Sequence, residues 1–168
     1  NSNTNPSPEA ISLTLAGQII KQYSLRECIS KDVADAHLKG DIYVHDGDFW
    51  ALRPYCSGNS VEYIKLNGIK LPNMVHSNPA GNAMTLVNHL QCFATYLQGL
   101  FSGAVGMDAV NVFFAPLLEG MTYKEIKQVA QHLIYSFAQL AANRGSQIVF
   151  SDFNLFFRVP THYANTPA

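Results

Sequence analysis

Apolar residues return at helical spacing from the start of the chain. Ile11, Leu15, Ile19 and Ile20 form a stripe behind the segment NSNTNPSP, where Ser7 can cap a helix that has Pro8 at its first position. The pattern predicts a helix running to about Leu25. Ser30 opens a shorter one, with Val33, Ala34, His37 and Leu38 on one face and Gly40 as its stop. Alternation of Ile42 and Val44 predicts a brief extended piece leading into His45 and Asp46. Val61–Asn67 reads as one or two helical turns ended by Gly68, and LPNMVHSNPAGN as loop.

A long helix follows, its apolar positions Leu86, Leu90, Phe93, Leu97 and Leu100 stepping by four and three. A second stripe, Asn88, Gln91, Thr95 and Gln98, keeps the same spacing with uncharged hydrogen-bonding groups. It suits a buried polar partner, or equally a wet face that lacks charge. SGAVGMD breaks the helix, which restarts toward Pro116. Thr122 and Glu125 then form a T-x-x-E capping box for a helix with Ile126, Val129, Ala130, Leu133, Ile134, Phe137 and Leu140 on its apolar face and Gly145 at its end. SQIVFSDFNLFFRVP, aromatic and β-branched and bounded by Pro160, predicts a buried strand or two, and THYANTPA a frayed tail. Neither an internal repeat nor a domain boundary is visible, so residues 1–168 read as one unit.

Composition sharpens this picture in two ways. The 168 residues are 48% hydrophobic but only 14% charged, with net charge −1, which supplies a core and excludes a basic nucleic-acid or anionic-membrane surface. From 82 to 118 the only formally charged residue is Asp108. Few faces there are built for bulk water, so the chain expects more protein around it, as part of a larger enzyme or an obligate oligomer. The rival reading is a small helical domain with a polar, uncharged surface. Asn88, His89, Gln91, Gln98 and Asp108 interrupt this apolar stretch, against a membrane span. Three cysteines without a framework spacing, and no signal peptide, point to a reducing cytoplasm.

Candidate chemistry is sparse. His45, Asp46 and Asp48 lack the second pair of ligands a metal site uses, so no metal is expected, and no glycine-rich phosphate loop is present. Cys56, in GDIYVHDGDFWALRPYCSGNS, has no partner at short spacing. It is a buried structural thiol, half of a long-range pair, or a catalytic thiol. Lys124 sits near the start of the capped helix, where a cation opposes the macrodipole. An anionic ligand sharing that helix start would explain it, as would simple solvation.

Five segments in order, NSNTNPS, AHLKGDIYVHD, YCSGNS, FSGAVGMDAVNVFFAP and RGSQIVFSDFNLFFRVP, resemble the anaerobic (class III) ribonucleoside-triphosphate reductases, glycyl-radical enzymes that make deoxyribonucleotides for DNA synthesis. The resemblance implies an α/β fold, a predominantly helical fragment from the N-terminal part of a ten-stranded α/β barrel. The family's radical-bearing cysteine loop and its glycyl-radical segment have no counterpart here. By this resemblance Cys56 matches the cysteine on the first barrel strand that takes part in ribose reduction. Gln91, Lys124 and Ser77 fall in the family's effector site at a dimer interface, and Asn3 and Ser7 near its substrate pocket. Where the family carries a glutamate and a lysine in that effector site, this chain has Ser77 and Ala80. It also has Tyr43 where a histidine is usual, and Asn59 where the dithiol-using branch has tryptophan. The implied partners are a ribonucleoside triphosphate substrate, an ATP or dNTP effector, a radical-SAM iron-sulfur activating enzyme, a thioredoxin-like reductant and a second copy of the chain. The implied cofactors, a glycyl radical and a structural zinc, lie outside this segment. A noncatalytic nucleotide-binding or interaction module derived from the same domain is the alternative.

Overall fold

The computed structural model describes residues 7–165, a mixed α/β arrangement built on a small parallel sheet. Helix α1, Pro8–Tyr23, starts as expected, with the Ser7 side chain accepting from the Ala10 N–H at 3.2 Å. It runs into a π turn, Ser24–Cys28, before α2, Lys31–Lys39, which Gly40 ends at φ 85°. Ile42 and Val44 are not extended strand. No neighbouring strand pairs with them, and the chain instead turns at Asp46 (φ 49°), whose carbonyl accepts from the Phe49 and Trp50 N–H groups.

Strand β1, Ser57–Ser60, leads directly into α3, Val61–Asn67, capped by the Ser60 hydroxyl. Helix α4, Ala83–Gln98, is capped by Asn82, whose side chain accepts from Thr85 N–H at 2.9 Å. SGAVGMD then holds a strand that the sequence pattern hides: β2, Val105–Asp108. Ala109, at φ 52°, turns the chain into α5, Val110–Phe114, followed by a 3₁₀ turn, Ala115–Leu118. Helix α6, Tyr123–Gln139, has the full capping box, and β3, Ser151–Phe153, comes last. Gly145 does not end α6, whose last residue is Gln139. It serves instead as a left-handed turn position (φ 71°), and an added Cβ would meet the Ala10 Cβ of α1 at 2.9 Å.

The three strands lie in the order β1-β2-β3, all parallel, with Ser57 opposite Val105 and Val105 opposite Ser151. Parallel pairing requires a crossover, here α3 and α4 between the first two strands and α5 and α6 between the second and third. Those helices cover the sheet. Val105 and Met107 of β2 are buried against Leu86, Leu90, Ala94, Val110, Phe113 and Phe114, with Val129, Leu133 and Phe137 of α6 completing the cluster.

Residues 82–118 are therefore not a face awaiting cover but the core itself. Their lack of charge reflects burial inside this chain. The unpartnered apolar surface lies elsewhere. On α1 the stripe Ile11, Leu15 and Ile19 is exposed, Ile19 to 72%, and only Ala10 and Gly17 are buried. The run after α6 is also less buried than its composition suggests: Val149 is inside, while Phe150, Leu155, Phe157 and Val159 are exposed beside the open edge of β3. Among the described residues no helix is long and apolar enough to cross a membrane.

Candidate functional site

Cys56 stands immediately before β1, where residues 54–57 run alongside residues 102–104 at the mouth of the sheet. Ser102 N–H donates to Pro54 O at 2.9 Å, Gly103 N–H to Tyr55 O, and Ser57 N–H to Ala104 O at 3.0 Å. The Ala104 N–H donates to the Cys56 Sγ at 3.2 Å, which fixes where the sulfur points. The two segments come so close that residue 103 must be glycine. A Cβ there would lie 2.6 Å from Sγ and 2.7 Å from Tyr55 O, inside any real contact distance. Cys56 is exposed, and Cys28, Cys56 and Cys92 are all free thiols. Cys56 is thus an accessible thiol rather than one packed in the core.

The next strand residues lock this geometry. Ser57 and Asn59 share one face of β1, and the Asn59 Nδ2 donates both to Ser57 Oγ and to Gly106 O, each at 3.0 Å, tying β1 to β2. A string of rings ends on Tyr55, the residue before Cys56. His45 meets Tyr55 edge-on at 5.6 Å and Tyr43 at 6.2 Å, and Tyr43 in turn meets His37 at 5.9 Å. The His45 Nε2 lies 3.3 Å from Asp46 Oδ1. Beyond them, two guanidinium groups share one ring: Arg53 Cζ lies 5.0 Å and Arg144 Cζ 5.6 Å from the centroid of Phe49.

The other residues singled out in the sequence are dispersed. Ser77 is held by a two-way backbone bridge to Ile69, at 2.9 and 3.1 Å, which Gly68 permits by having no Cβ within reach of Ser77 O. Gln91 is half-buried in the middle of α4, and Lys124 is exposed in the first turn of α6. The two helices pack together, but no hydrogen bond or ion pair joins the three side chains among the described residues. Within the amide stripe, Asn88 faces solvent while Gln98 is buried and donates to the carbonyls of Gln147 and Ile148 at 3.1 and 2.8 Å. That end of the stripe fastens the lead into β3. Ser7 is the cap of α1, and Asn3 lies outside the described residues. No group of three or more His, Cys, Asp or Glu side chains that could hold a metal is present among the described residues.

Two features escaped the sequence reading. Gly103 carried a signal, a glycine in a loop rich in small residues whose length matches a close backbone approach. The arginine pair around Phe49 carried none, because Arg144 reaches the local Phe49–Arg53 turn only through the fold.

A family model described as anaerobic ribonucleoside-triphosphate reductase matches residues 1–166. Among solved structures, the anaerobic ribonucleotide reductase from Thermotoga maritima in complex with dATP and CTP is similar at TM-score 0.64 and 28% identity, covering 86% of this chain and 26% of that one. The same enzyme with dATP bound in the specificity site gives TM-score 0.64 and 28% identity over 86% of this chain and 27% of that one. A further structure, described as anaerobic ribonucleotide reductase, gives 0.63 and 27% over 86% and 24%. The chain thus spans about a quarter of the solved structures it matches. No curated protein sequence matches it.

Proposed function

Since the chain belongs to the anaerobic ribonucleoside-triphosphate reductase family, we propose that it forms the N-terminal part of the catalytic barrel domain of such an enzyme, with Cys56 as the strand cysteine that reduces the ribose. One observation carries this reading: a free, exposed thiol is aimed by the Ala104 N–H at the mouth of a parallel sheet, in a slot that only Gly103 leaves open. The three parallel strands are then the first of the ten-stranded barrel, and the uncovered edge of β3 supports their continuation.

The reaction replaces the 2′-hydroxyl of a ribonucleoside triphosphate by hydrogen. The hydroxyl leaves as water, and two thiols supply the two electrons and become a disulfide. Cys56 is one of those thiols, and its partner is a cysteine distant in sequence. A thioredoxin-like dithiol protein restores the pair by disulfide exchange. The family's glycyl radical, installed by a radical-SAM iron-sulfur activating enzyme, supplies the radical chemistry. Its structural zinc also belongs to other parts of such a protein. Gln91, Lys124 and Ser77 contribute to a nucleotide effector site completed in a homodimer, and Asn3 and Ser7 to the substrate pocket. The likeness to a reductase solved with dATP and CTP supports a nucleotide substrate and effector. Cytoplasmic residence follows from this chemistry and from three free thiols.

The test uses the complete protein carrying this segment. Cys56→Ser is expected to fold and acquire the glycyl radical, measured by electron paramagnetic resonance, yet make no deoxynucleotide. Cys28→Ser and Cys92→Ser should retain most product formation. Normal turnover by Cys56→Ser overturns the assignment.

A further inference from the structure

The side of the sheet turned away from the core is nearly bare beside Cys56. Parallel register puts Gly58, Gly106 and Asp152 in one row across β1, β2 and β3, and pairs Ser60 with Asp108 in a further row on the first two strands. Val105 and Met107 point into the core, so strand alternation turns Gly106, Asp108 and Asp152 the other way. Counting back by two from Ser60 and Gly58 brings Cys56 to that same side, about 7 Å along the strand from Gly58. A Cβ added at Gly58 would meet nothing within 4 Å, so the floor next to the thiol is open space.

One charged group overhangs that floor. A Cβ added at Gly106 would lie 3.2 Å from Asp152 Oδ1, so the carboxylate leans from β3 back across β2. Among the described residues it has neither a hydrogen bond nor an ion pair. Asp108 on the adjacent strand differs, since it accepts from Asn154 Nδ2 at 3.2 Å. Aspartate is depleted within strands, and a second carboxylate on the neighbouring strand adds repulsion, so nothing in the local structure favours an acid at position 152. An ionised carboxylate is an acceptor only, and its two oxygens can take two donors side by side. A vicinal diol presents that pair of donors, and an acidic side chain on a ribose hydroxyl is a recurring device of nucleotide-binding sheets.

We infer that Asp152 is a specificity-determining residue, accepting hydrogen bonds from the 2′- and 3′-hydroxyls of a ribose laid over Gly58 and Gly106. The inference rests on the function proposed above, which places the ribose at Cys56. It adds a sorting step to that function. A ribonucleotide offers the carboxylate two hydroxyl donors and a 2′-deoxynucleotide only the 3′-hydroxyl, so one side chain holds the substrate and lets the product go.

The test is equilibrium binding to the complete protein before a glycyl radical is installed, when nucleotides bind without turnover. CTP and dCTP are compared, with excess dATP present to fill an effector site, as it fills the specificity site of a solved relative. Wild type is expected to bind CTP about tenfold more tightly than dCTP, the two ligands differing by one charge-assisted hydrogen bond. In Asp152→Ala, CTP should lose about tenfold more affinity than dCTP does, which brings the ratio toward one. Asp152→Asn, which keeps the shape and removes the charge, should move the ratio the same way, and circular dichroism checks that both variants keep the fold. An unchanged ratio in both variants, equal losses for the two ligands, or a wild type that does not separate them overturns the assignment. Normal turnover by Cys56→Ser alongside a collapsed ratio in Asp152→Ala removes the cysteine assignment and leaves Asp152 standing. An inert Cys56→Ser alongside an unchanged ratio removes Asp152 alone.

Discussion

At Gly103 a single missing methyl group holds the candidate site open. Its amide bonds to Tyr55 O, and its absent Cβ would collide with both that oxygen and the Cys56 sulfur. Gly103→Ala should therefore push residues 54–57 away from 102–104, costing about 1–3 kcal/mol in the manner of an overpacked core. In the complete protein, denaturant unfolding should show the loss, and product yield should fall with it while the distant Cys92→Ala leaves yield near wild type. Unchanged stability and yield would mean that residues 54–57 and 102–104 move apart without cost and that the close approach at Gly103 is not needed. His89 makes a different residue-scale case. It is 8% exposed on α4, with Nδ1 unpartnered, and burial lowers its pKa. The unfolded chain then binds a proton more readily than the fold does. Stability from neutral His89 is thus fully present above the ordinary imidazole value of about 6.5 and declines as pH falls below it toward the depressed folded value. Denaturant midpoints of wild type and His89→Met, compared between about pH 8 and about pH 5, should diverge in slope, the variant being flatter. Of these residues, the sequence exposed Cys56 by its isolation. It could not show what Gly103 or Arg144 face, since those contacts span roughly fifty to ninety-five positions and no local pattern encodes them.

At the level of elements, legibility followed the strength of local chemistry. Helices α1 and α6 were readable because caps at Ser7 and Thr122 coincide with apolar spacing of three and four, and α4 from that spacing alone, while the structure adds caps at Ser60 and Asn82. Strand β2 was not, since VGMD is four residues long, contains a glycine and sits inside an apolar stretch. Its alternation, Val105 and Met107 inward and Gly106 and Asp108 outward, spans too few residues to stand out from its surroundings. Ile42 and Val44 do alternate but find no partner strand. The start of α6 carries a prediction of its own. Lys124 is the second helical residue, one before Glu125, whose carboxylate accepts from both the Thr122 hydroxyl and N–H at 2.7 Å. Those bonds already serve the helix end and hold the Glu125 pKa below the usual carboxylate range. A cation placed there opposes the dipole, so removing it should leave the helix at least as stable. If Lys124 contacts an effector phosphate, Lys124→Ala in the complete protein should weaken effector binding by about tenfold at unchanged melting temperature. Unaltered effector affinity removes the lysine from that site.

On the scale of the whole molecule, the sheet is open at both outer edges, those of β1 and β3. β1 and β2 are paired, and α4 and α6 cover the centre, but β3 presents its outer edge beside exposed Phe150, Leu155 and Phe157, and α1 presents Ile11, Leu15 and Ile19. An unpaired parallel strand flanked by aromatic residues is a template for further pairing. Soluble domains rarely leave contiguous apolar patches of this kind uncovered. The sequence had suggested missing cover through its low charge but pointed at residues 82–118, because composition registers burial without saying which chain provides it. Solved relatives are more than three times as long, since 86% of this chain covers only 26% of one of them, so there is ample further chain to cover both surfaces. Residues 1–168 produced alone should therefore self-associate through α1 and the β3 edge, giving sedimentation coefficients that rise with concentration and strong binding of an apolar dye. Ile19→Lys together with Phe157→Lys should shift the population toward monomer, because a charge at each patch opposes its burial. A dilution-stable monomer with little dye binding would instead mean that these surfaces are tolerated in water, and would remove the main structural reason to treat the segment as one part of a barrel.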